Sequence, residues 1–328
     1  MQIQTLLIHF PVGEEWLARL TEKLPDTEIL LRGNTAPLTQ EDVARADVIF
    51  GNVPAKMLQD AGRLQWLHLA SAGTDGYTFI TEQGVLLTNG TGAYNDTIAE
   101  HMLALTSALC IQLPTYIRQQ QARQWQRAGW STYLMDSTVL ILGCGSIGCA
   151  YARRMKALGA HTIGVRRSPG PAPEGVDEMY TMEQLDSLLP RADVVAMVMP
   201  NTPETENAMD ARRIALMKDG AMLLNVGRGN ALEPNALYDG LVSGKLSGAA
   251  IDVAYTEPLP PDDRLWDAPN LLITPHVAGG WNLANLTTSP AMADRVCRVF
   301  LENLEQYLAD APLPNAVDPR TGYTKTQH

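Results

Sequence analysis

Short runs of consecutive apolar residues alternate with stretches in which apolar positions recur every three or four residues. Runs at 3–9 (IQTLLIH), 27–31 (TEILL), 47–50 (DVIF), 65–69 (QWLHL) and 84–88 (GVLLT) read as buried strands. Helical stretches near 14–23 and 39–46 separate the early ones, and Thr39 followed by Asp42 predicts a capping box for the second. The first 90 or so residues therefore form a compact β/α unit. Ile98, Met102, Leu105 and Leu109 fall at helical spacing, widened by Leu103, Cys110 and Leu113, and predict one long helix over 97–113. A glutamine- and arginine-rich stretch from Gln119 to Arg127 has no clear period and reads as an extended arm. Trp125 and Trp130 lie in or near it, which suits either a partner subunit or an arm folded back on its own domain.

A second alternation begins at 138. Strand-like runs at 138–142, 161–165, 193–199, 221–225, 248–252 and 271–274 are separated by helical patterns near 146–158, 182–189, 206–218 and 233–243. Near-continuous apolar strands alternating with helices predict a parallel sheet covered on both faces, and six strands in two halves predict a doubly wound nucleotide-binding domain. From 284 to 309 the pattern is helical again, with Val296, Phe300, Leu304 and Leu308 on one stripe. That helix can return to the first unit, so the expected organisation is a discontinuous substrate domain (1–96 plus 286–328) interrupted by a dinucleotide-binding domain (97–285).

Composition changes this picture little. The 328 residues are 45% hydrophobic and 19% charged, which is globular. Thirty-six acidic against 25 basic residues give a net charge of −11, which argues against nucleic acid or an anionic membrane surface as partners. The N-terminal MQIQTLLIHF lacks the basic start of a signal peptide, and no window is long and apolar enough to span a membrane. Cys110, Cys144, Cys149 and Cys297 form no metal-type cluster and read as reduced, buried thiols of a cytoplasmic protein.

Chemistry enters at the glycine loop. Gly143-Cys144-Gly145-Ser146-Ile147-Gly148 directly follows a predicted strand and opens a predicted helix, the context a dinucleotide fingerprint requires. The first glycine permits the tight turn, the second admits a pyrophosphate, and the third lets helix and strand approach. At the end of the next strand an NAD site places an acid for the ribose hydroxyls. Here Arg166, Arg167 and Ser168 stand instead, Arg166 lying 18 residues past Gly148, and no Asp or Glu occurs between Cys149 and Pro173. Two guanidinium groups and a hydroxyl suit a 2′-phosphate, so NADP(H) is the favoured cofactor and NAD(H) the alternative.

Three further strand ends carry Asn225-Val226-Gly227-Arg228-Gly229, then Asp252 through Glu257, then Thr274-Pro275-His276-Val277-Ala278-Gly279. One Arg, one Glu and one His thus emerge at the edge where α/β sheets bind ligands. Together they fit reduction of a 2-oxo acid: Arg228 for the carboxylate, His276 as general acid or base, and Glu257 to favour the charged ring.

The motifs GCGSIG, NVGRG, DVAYTEPL and TPHVAGG, in this order, resemble the D-isomer-specific 2-hydroxyacid dehydrogenases over nearly the whole chain. The resemblance implies two doubly wound α/β domains, a Rossmann-type nucleotide domain inserted in a flavodoxin-like substrate domain, with catalysis in the cleft between them. It implies catalytic roles for Arg228, Glu257 and His276. It also implies cofactor contacts from Ser146, Ile147, Met199, Pro200, Thr205, Val226 and Gly227, from Asp252 to the nicotinamide carboxamide, and from Ala278 and Gly279 beside the ring. Ala72, Gly73 and Thr74 match the family's substrate loop, whose N–H groups can receive a carboxylate. Glu100 and His101 are read as structural, since neighbouring helical residues do not share a face.

The resemblance also narrows the substrate. Formate-oxidising members carry glutamine where Glu257 stands, and phosphoglycerate-oxidising members often carry an added regulatory domain for which 328 residues leave no room. Members with an arginine after the second strand are similar to NADPH-dependent glyoxylate and hydroxypyruvate reductases. Trp281 departs from the common pattern after the histidine, and Tyr77, Tyr94 and Tyr255 are candidates to line the pocket. The expected function is an NADP(H)-linked 2-oxo acid reductase, homodimeric through 112–136. The competing readings are a dinucleotide-sensing, corepressor-like protein on the same fold and an NAD-linked member whose arginines merely lie at the surface.

Overall fold

The computed structural model describes residues 3–33, 36–129, 131–282, 287–320 and 322–324. They divide into two compact units, one of Met1–Tyr94 with Gly280–His328 and one of Asn95–Gly279. The expected junctions at 96/97 and 285/286 fall two and six residues later than these.

In the first unit β1 (Thr5–His9), α1 (Glu14–Lys23), β2 (Glu28–Leu31), α2 (Gln40–Arg45), β3 (Val48–Gly51), β4 (Trp66–His68) and β5 (Leu86–Thr88) build a parallel sheet of order β2-β1-β3-β4-β5. The capping box of α2 forms as expected: Asp42 N–H donates to Thr39 Oγ1 at 3.2 Å and Thr39 N–H to Asp42 Oδ2 at 2.9 Å. Asp42 also pairs with Arg32, and these bonds hold its carboxyl at about 2. Buried Asp47, just before β3, accepts the N–H groups of Gln4 and Thr5 and so pins the amino edge of β1. The C-terminal helix closes this unit, its Phe300 stacking on Phe50 with centroids 4.2 Å apart and on Trp66 at 5.4 Å.

The second unit starts with α3 (Asn95–Cys110) and α4 (Leu113–Gln121). The expected single helix over 97–113 therefore breaks, because Gln112 adopts φ +57° and Pro114 opens a new helix. The expected extended arm is helical as far as Gln121 and irregular from there through the described residues up to Tyr133. Next come β6 (Thr138–Leu142), α5 (Ser146–Ala157), β7 (His161–Arg166), β8 (Glu178–Thr181), α6 (Leu185–Leu188), β9 (Val194–Met197), α7 (Ala211–Leu216), β10 (Ala221–Asn225), α8 (Pro234–Val242), β11 (Leu246–Ile251) and β12 (Leu271–Ile273). The seven strands run parallel in the order β12-β11-β10-β9-β6-β7-β8. The strand missing from the sequence pattern is β8, an edge strand whose four residues are all only half-buried and present no apolar run. The helix expected over 206–218 is confined to Ala211–Leu216, started by the Asp210 carboxylate accepting the Arg213 N–H at 2.8 Å.

Alternating strand residues feed two cores. Leu140, Leu142, Val195, Met197 and Leu223 pack with Leu185, Ile214, Leu237 and Leu241 on one face. Val139, Ile141, Val194, Ala196 and Met222 pack with Met102, Leu105, Tyr151 and Met155 of α3 and α5 on the other. Both faces are covered, as the sequence pattern predicts. After Gly279 the chain adds β13 (Trp281–Asn282), β14 (Thr287–Thr288) and α9 (Pro290–Leu308), whose Ser289 caps Met292 N–H at 3.2 Å. The helical pattern expected from 284 to 309 is helix over Pro290–Leu308, and its first residues, 284–286, lie outside the described residues. Trp130, residues 283–286 and the side chain of Trp281 lie outside the described residues.

His68 lies fully buried in the aromatic core of the first unit, and burial holds its imidazole at about 3 instead of 6.5. Its Nδ1 is 2.7 Å from Thr88 Oγ1, which already accepts from Trp66 Nε1, so the threonine proton is directed to the ring. The unfolded chain binds a proton near pH 6.5 that the folded chain refuses, so stability falls with pH through this window, by up to about 1.4 kcal/mol per pH unit. Denaturant titrations at falling pH should show this slope, and His68→Phe should flatten it. A variant with the wild-type slope would rule out His68 as its source.

Candidate active site

The glycine loop leaves β6 at the carboxyl edge of the seven-stranded sheet. Gly143 has φ +99°, and a Cβ there would lie 2.6 Å from Val198 O, so only glycine fits. A Cβ on Gly148 would strike Gly143 O. α5 starts at Ser146 with Gly145 as its N-cap and no side-chain cap, so the first turn presents backbone donors with the positive end of the helix dipole. This cradle fits a pyrophosphate.

Arg166 ends β7, two residues beyond Gly164 on the same side of the strand. Its Nη2 reaches Pro171 O at 3.4 Å, while its Nε is buried without a partner. Arg167 and Ser168 are exposed just after it. Across the sheet edge, Met199 and Pro200 follow β9, and Thr205 Oγ1 donates to Pro200 O at 2.7 Å to close that loop. The charge of Arg167 reaches the carboxylate of Glu204 beside it. Val226 and Gly227 follow β10, where a Cβ on Gly227 would lie 2.7 Å from Met199 N. These two loops therefore touch backbone to backbone.

Arg228 is held by a residue that sequence reasoning missed. Asn225, 1% exposed, donates from Nδ2 to Arg228 O at 3.0 Å and accepts the Gly227 N–H at 3.1 Å. Its bonds are local, so an Asx-type turn at the strand end was the available signal.

Glu257 and His276 meet. Glu257 Oε2 lies 2.7 Å from His276 Nδ1, and its Oε1 accepts the Ala254 N–H at 3.0 Å. The hydrogen bond to Glu257 raises the imidazole above its usual 6.5, opposed by burial and by the Arg228 charge and aided by Asp252. For Glu257, burial works upward, but the His276 bond and charge, the Ala254 N–H and Arg228 together hold the carboxyl below its usual value. His276 itself sits at φ +54°, with its N–H donating to Asp252 O at 2.7 Å.

Asp252 is the buried anchor of this loop. Its oxygens accept the Val277 N–H at 2.9 Å and the Ala278 N–H at 3.0 Å, and Thr274 Oγ1 lies 2.5 Å away. His101 of α3 joins the group, its Nε2 lying 3.1 Å from Thr274 Oγ1 and 3.7 Å from Asp252 Oδ1. His101 thus supports the histidine loop from 173 residues away in sequence, a link that no local signal reveals.

Residues 103–278 match the family model for the NAD binding domain of the D-isomer specific 2-hydroxyacid dehydrogenases. The chain is 30% identical to glyoxylate/hydroxypyruvate reductase B of Pectobacterium atrosepticum, covering 96% of this chain and 98% of that one. The chain belongs to this family. Among solved structures, the family protein of Aeromonas salmonicida is 33% identical with a TM-score of 0.83, over 96% of this chain and 99% of that one. The family enzyme of Xanthobacter autotrophicus Py2, solved in complex with NADPH and MES, is 26% identical with a TM-score of 0.81, over 98% and 100% of the two chains. The dehydrogenase is therefore an NAD(P)-binding α/β protein with two doubly wound parallel sheets, as its motifs imply. Among the described residues no helix is long and apolar enough to cross a membrane.

The segment expected to form a substrate loop, Ala72 to Thr74, follows β4 in the first unit, whereas the other predicted site residues stand in the second. Ser71 accepts restraint from Asn52 and donates to Gly73 O at 2.8 Å, and Asn89 Nδ2 donates to Ala72 O at 2.6 Å. Buried Thr74 donates to Gly322 O at 3.1 Å. Tyr77 and Tyr94, read as pocket-lining candidates, have hydroxyls that donate to Val53 O and Ala70 O of the first unit, and Tyr94 is buried. Tyr255 is exposed.

An NMR titration of the His276 ring should give a midpoint above 6.5 in the wild type, and Glu257→Gln should lower it, because the carboxylate that favours imidazolium is gone. Identical midpoints in the two proteins would remove Glu257 as the cause.

Proposed function

We propose that this protein is an NADP(H)-dependent reductase of short 2-oxo acids of the glyoxylate or hydroxypyruvate type, working in a reducing cytoplasm. The observation that carries the reading is the 2.7 Å bond between Glu257 and His276, with the charge of Arg228 acting on both. When bound, a reduced nicotinamide dinucleotide supplies hydride. As C2 of the substrate accepts it, charge builds on the carbonyl oxygen, and His276 donates its Nε2 proton there. In the oxidative direction the neutral ring takes that proton back. Glu257 accepts from Nδ1, fixes the ring's orientation and favours imidazolium. Arg228 receives the substrate carboxylate through its planar pair of donors. Asp252 acts by holding the His276 loop, since its oxygens already accept the Val277 and Ala278 N–H groups.

Support for NADP(H) comes from the strand end after β7. Arg166, Arg167 and Ser168 stand where an acid would hold a ribose, the Arg166 Nε is buried without a partner, and a family member 26% identical binds NADPH. Reduction should be fastest at pH values below the raised His276 midpoint and fall above it, with oxidation showing the opposite trend.

The deciding experiment follows NADPH and NADH consumption across glyoxylate, hydroxypyruvate, pyruvate and phenylpyruvate. NADPH should be preferred and the short acids reduced best. His276→Gln should lose about 10²-fold or more in turnover while dinucleotide binding persists. Arg166→Ala should weaken NADPH binding and leave NADH little changed. No turnover with any acid despite tight dinucleotide binding would favour the sensor reading, and equal losses for both dinucleotides would remove Arg166 from 2′-phosphate recognition.

The dehydrogenase is further proposed to be a homodimer through residues 112–136. Ile117, Tyr133 and Met135 are exposed there, and Trp125 is fully so, an apolar surface that a second copy would cover. Sedimentation should show a dimer that Ile117→Glu with Trp125→Ala dissociates; a wild-type monomer at every concentration would overturn it.

A further inference from the structure

The mechanism leaves unused two thiols, one inside the dinucleotide motif and one directly after it. Cys144 lies between the first two glycines of the loop, and Cys149 lies one turn into α5, where it is half-buried. Their sulfurs are 3.9 Å apart, and the Cys149 thiol also approaches Cys144 O at 3.5 Å. Cys144 is packed under β7, its Sγ only 2.8 Å from where a Cβ on Gly164 would stand, with Val176 and Met179 alongside. It therefore has little freedom to turn away from its neighbour. The other two cysteines, Cys110 and Cys297, are buried, and burial raises both thiols.

We infer that Cys144 and Cys149 are a site of reversible oxidation by hydroperoxides, closing to a disulfide that lowers the protein's affinity for its dinucleotide. The second half of this inference rests on the dinucleotide reading given above. Chemically, the Cys149 thiolate attacks the peroxide O–O bond, giving a sulfenic acid and releasing an alcohol or water. The Cys144 thiol then attacks that sulfur, forms the S–S bond and expels water. Two thiols and one hydroperoxide become one disulfide, one alcohol and one water, and an external dithiol reverses the change.

The geometry suits this order of events. Cys149 is the more accessible of the two, and the hydrogen bond from Cys144 together with the charges of Arg153 and Arg166 favours its thiolate against the effect of burial. The same bond and burial keep Cys144 protonated, so it serves as the resolving thiol. Forming the bond must draw the sulfurs from 3.9 Å to about 2 Å. The backbone donors that face a pyrophosphate, Gly145 to Gly148, lie between the two cysteines. The loop is braced on its other side by Gly143 and Cys144 N–H groups, both 3.0 Å from Val165 O. Closure therefore pulls the donor-bearing turn out of its place on β7 and removes the thiolate beside Arg166.

The full-length protein treated with hydrogen peroxide should lose two of its four thiols. The tryptic peptide 128–153, which contains both cysteines, should then be lighter by two hydrogens. NADPH affinity should fall by at least about tenfold and return with dithiothreitol. Cys149→Ser should abolish the thiol loss and the affinity change, and Cys144→Ala should stop the reaction at a trappable sulfenic acid on Cys149. The inference fails if both thiols survive excess peroxide. It fails if Cys149 proceeds to sulfinic acid with Cys144 still reduced, or if the disulfide forms with NADPH affinity unchanged. A reduced protein that binds no dinucleotide would overturn the functional reading instead, while thiol counting and peptide mass would still decide the disulfide.

Discussion

The glycine loop and the Arg228, Glu257 and His276 loops of the candidate site all depend on strand polarity in the seven-stranded sheet. Because β6, β9, β10, β11 and β12 are parallel, their carboxyl ends lie along one edge, and the loops that leave them share it. The glycine loop, the Met199–Thr205 loop, the Arg228 turn, the Glu257 loop and the His276 loop are far apart in sequence and adjacent in space for that reason alone. Parallel strands require crossovers, the crossovers are helices, and the two helical layers bury the alternating faces of the strands. The apolar core and the convergence of the polar groups are thus one constraint seen from two sides.

Within that edge, backbone geometry and electrostatics are set by a few buried polar anchors. Asn225 shapes the turn that carries Arg228, and Asp252 ties down the segment after His276. Each occupies the last strand position or the one after it, where the ladder ends and backbone N–H groups need other acceptors. Asp47, Asp177 and Asp193 play the matching part at the opposite ends of strands, accepting the N–H groups of Thr5, Thr162 and Thr138. Glu257 differs from all of these. It is partly exposed, and its bond to His276 changes a proton affinity more than it holds a chain in place.

The cysteine pair illustrates how a binding motif can carry a second chemistry. The third glycine of the motif is required because helix and strand approach too closely for a side chain, and that same closeness presses Cys149 against Cys144. Neither thiol is needed for the turn itself. Their placement puts an oxidisable contact within the few residues whose backbone donors face a phosphate.

By itself the sequence determined the class of the fold and singled out the candidate reacting groups. Apolar runs at strand spacing, the glycine motif between strand and helix, and Arg228, Glu257 and His276 at three strand ends are local patterns, and local patterns are legible without coordinates. Strand β8 escaped because an edge strand is not buried enough to be apolar, and the helix over 97–113 broke because a single left-handed residue, Gln112, leaves no hydrophobic trace. Only the tertiary structure decided that Glu257 reaches His276, that Asp252 is spent on the backbone of the histidine loop, and that His101 stands behind it. These are pairings between residues separated by 19, 25 and 173 positions. Such pairings are set by how strands are ordered in a sheet and by which helix covers which face, and no periodicity along the chain encodes that order.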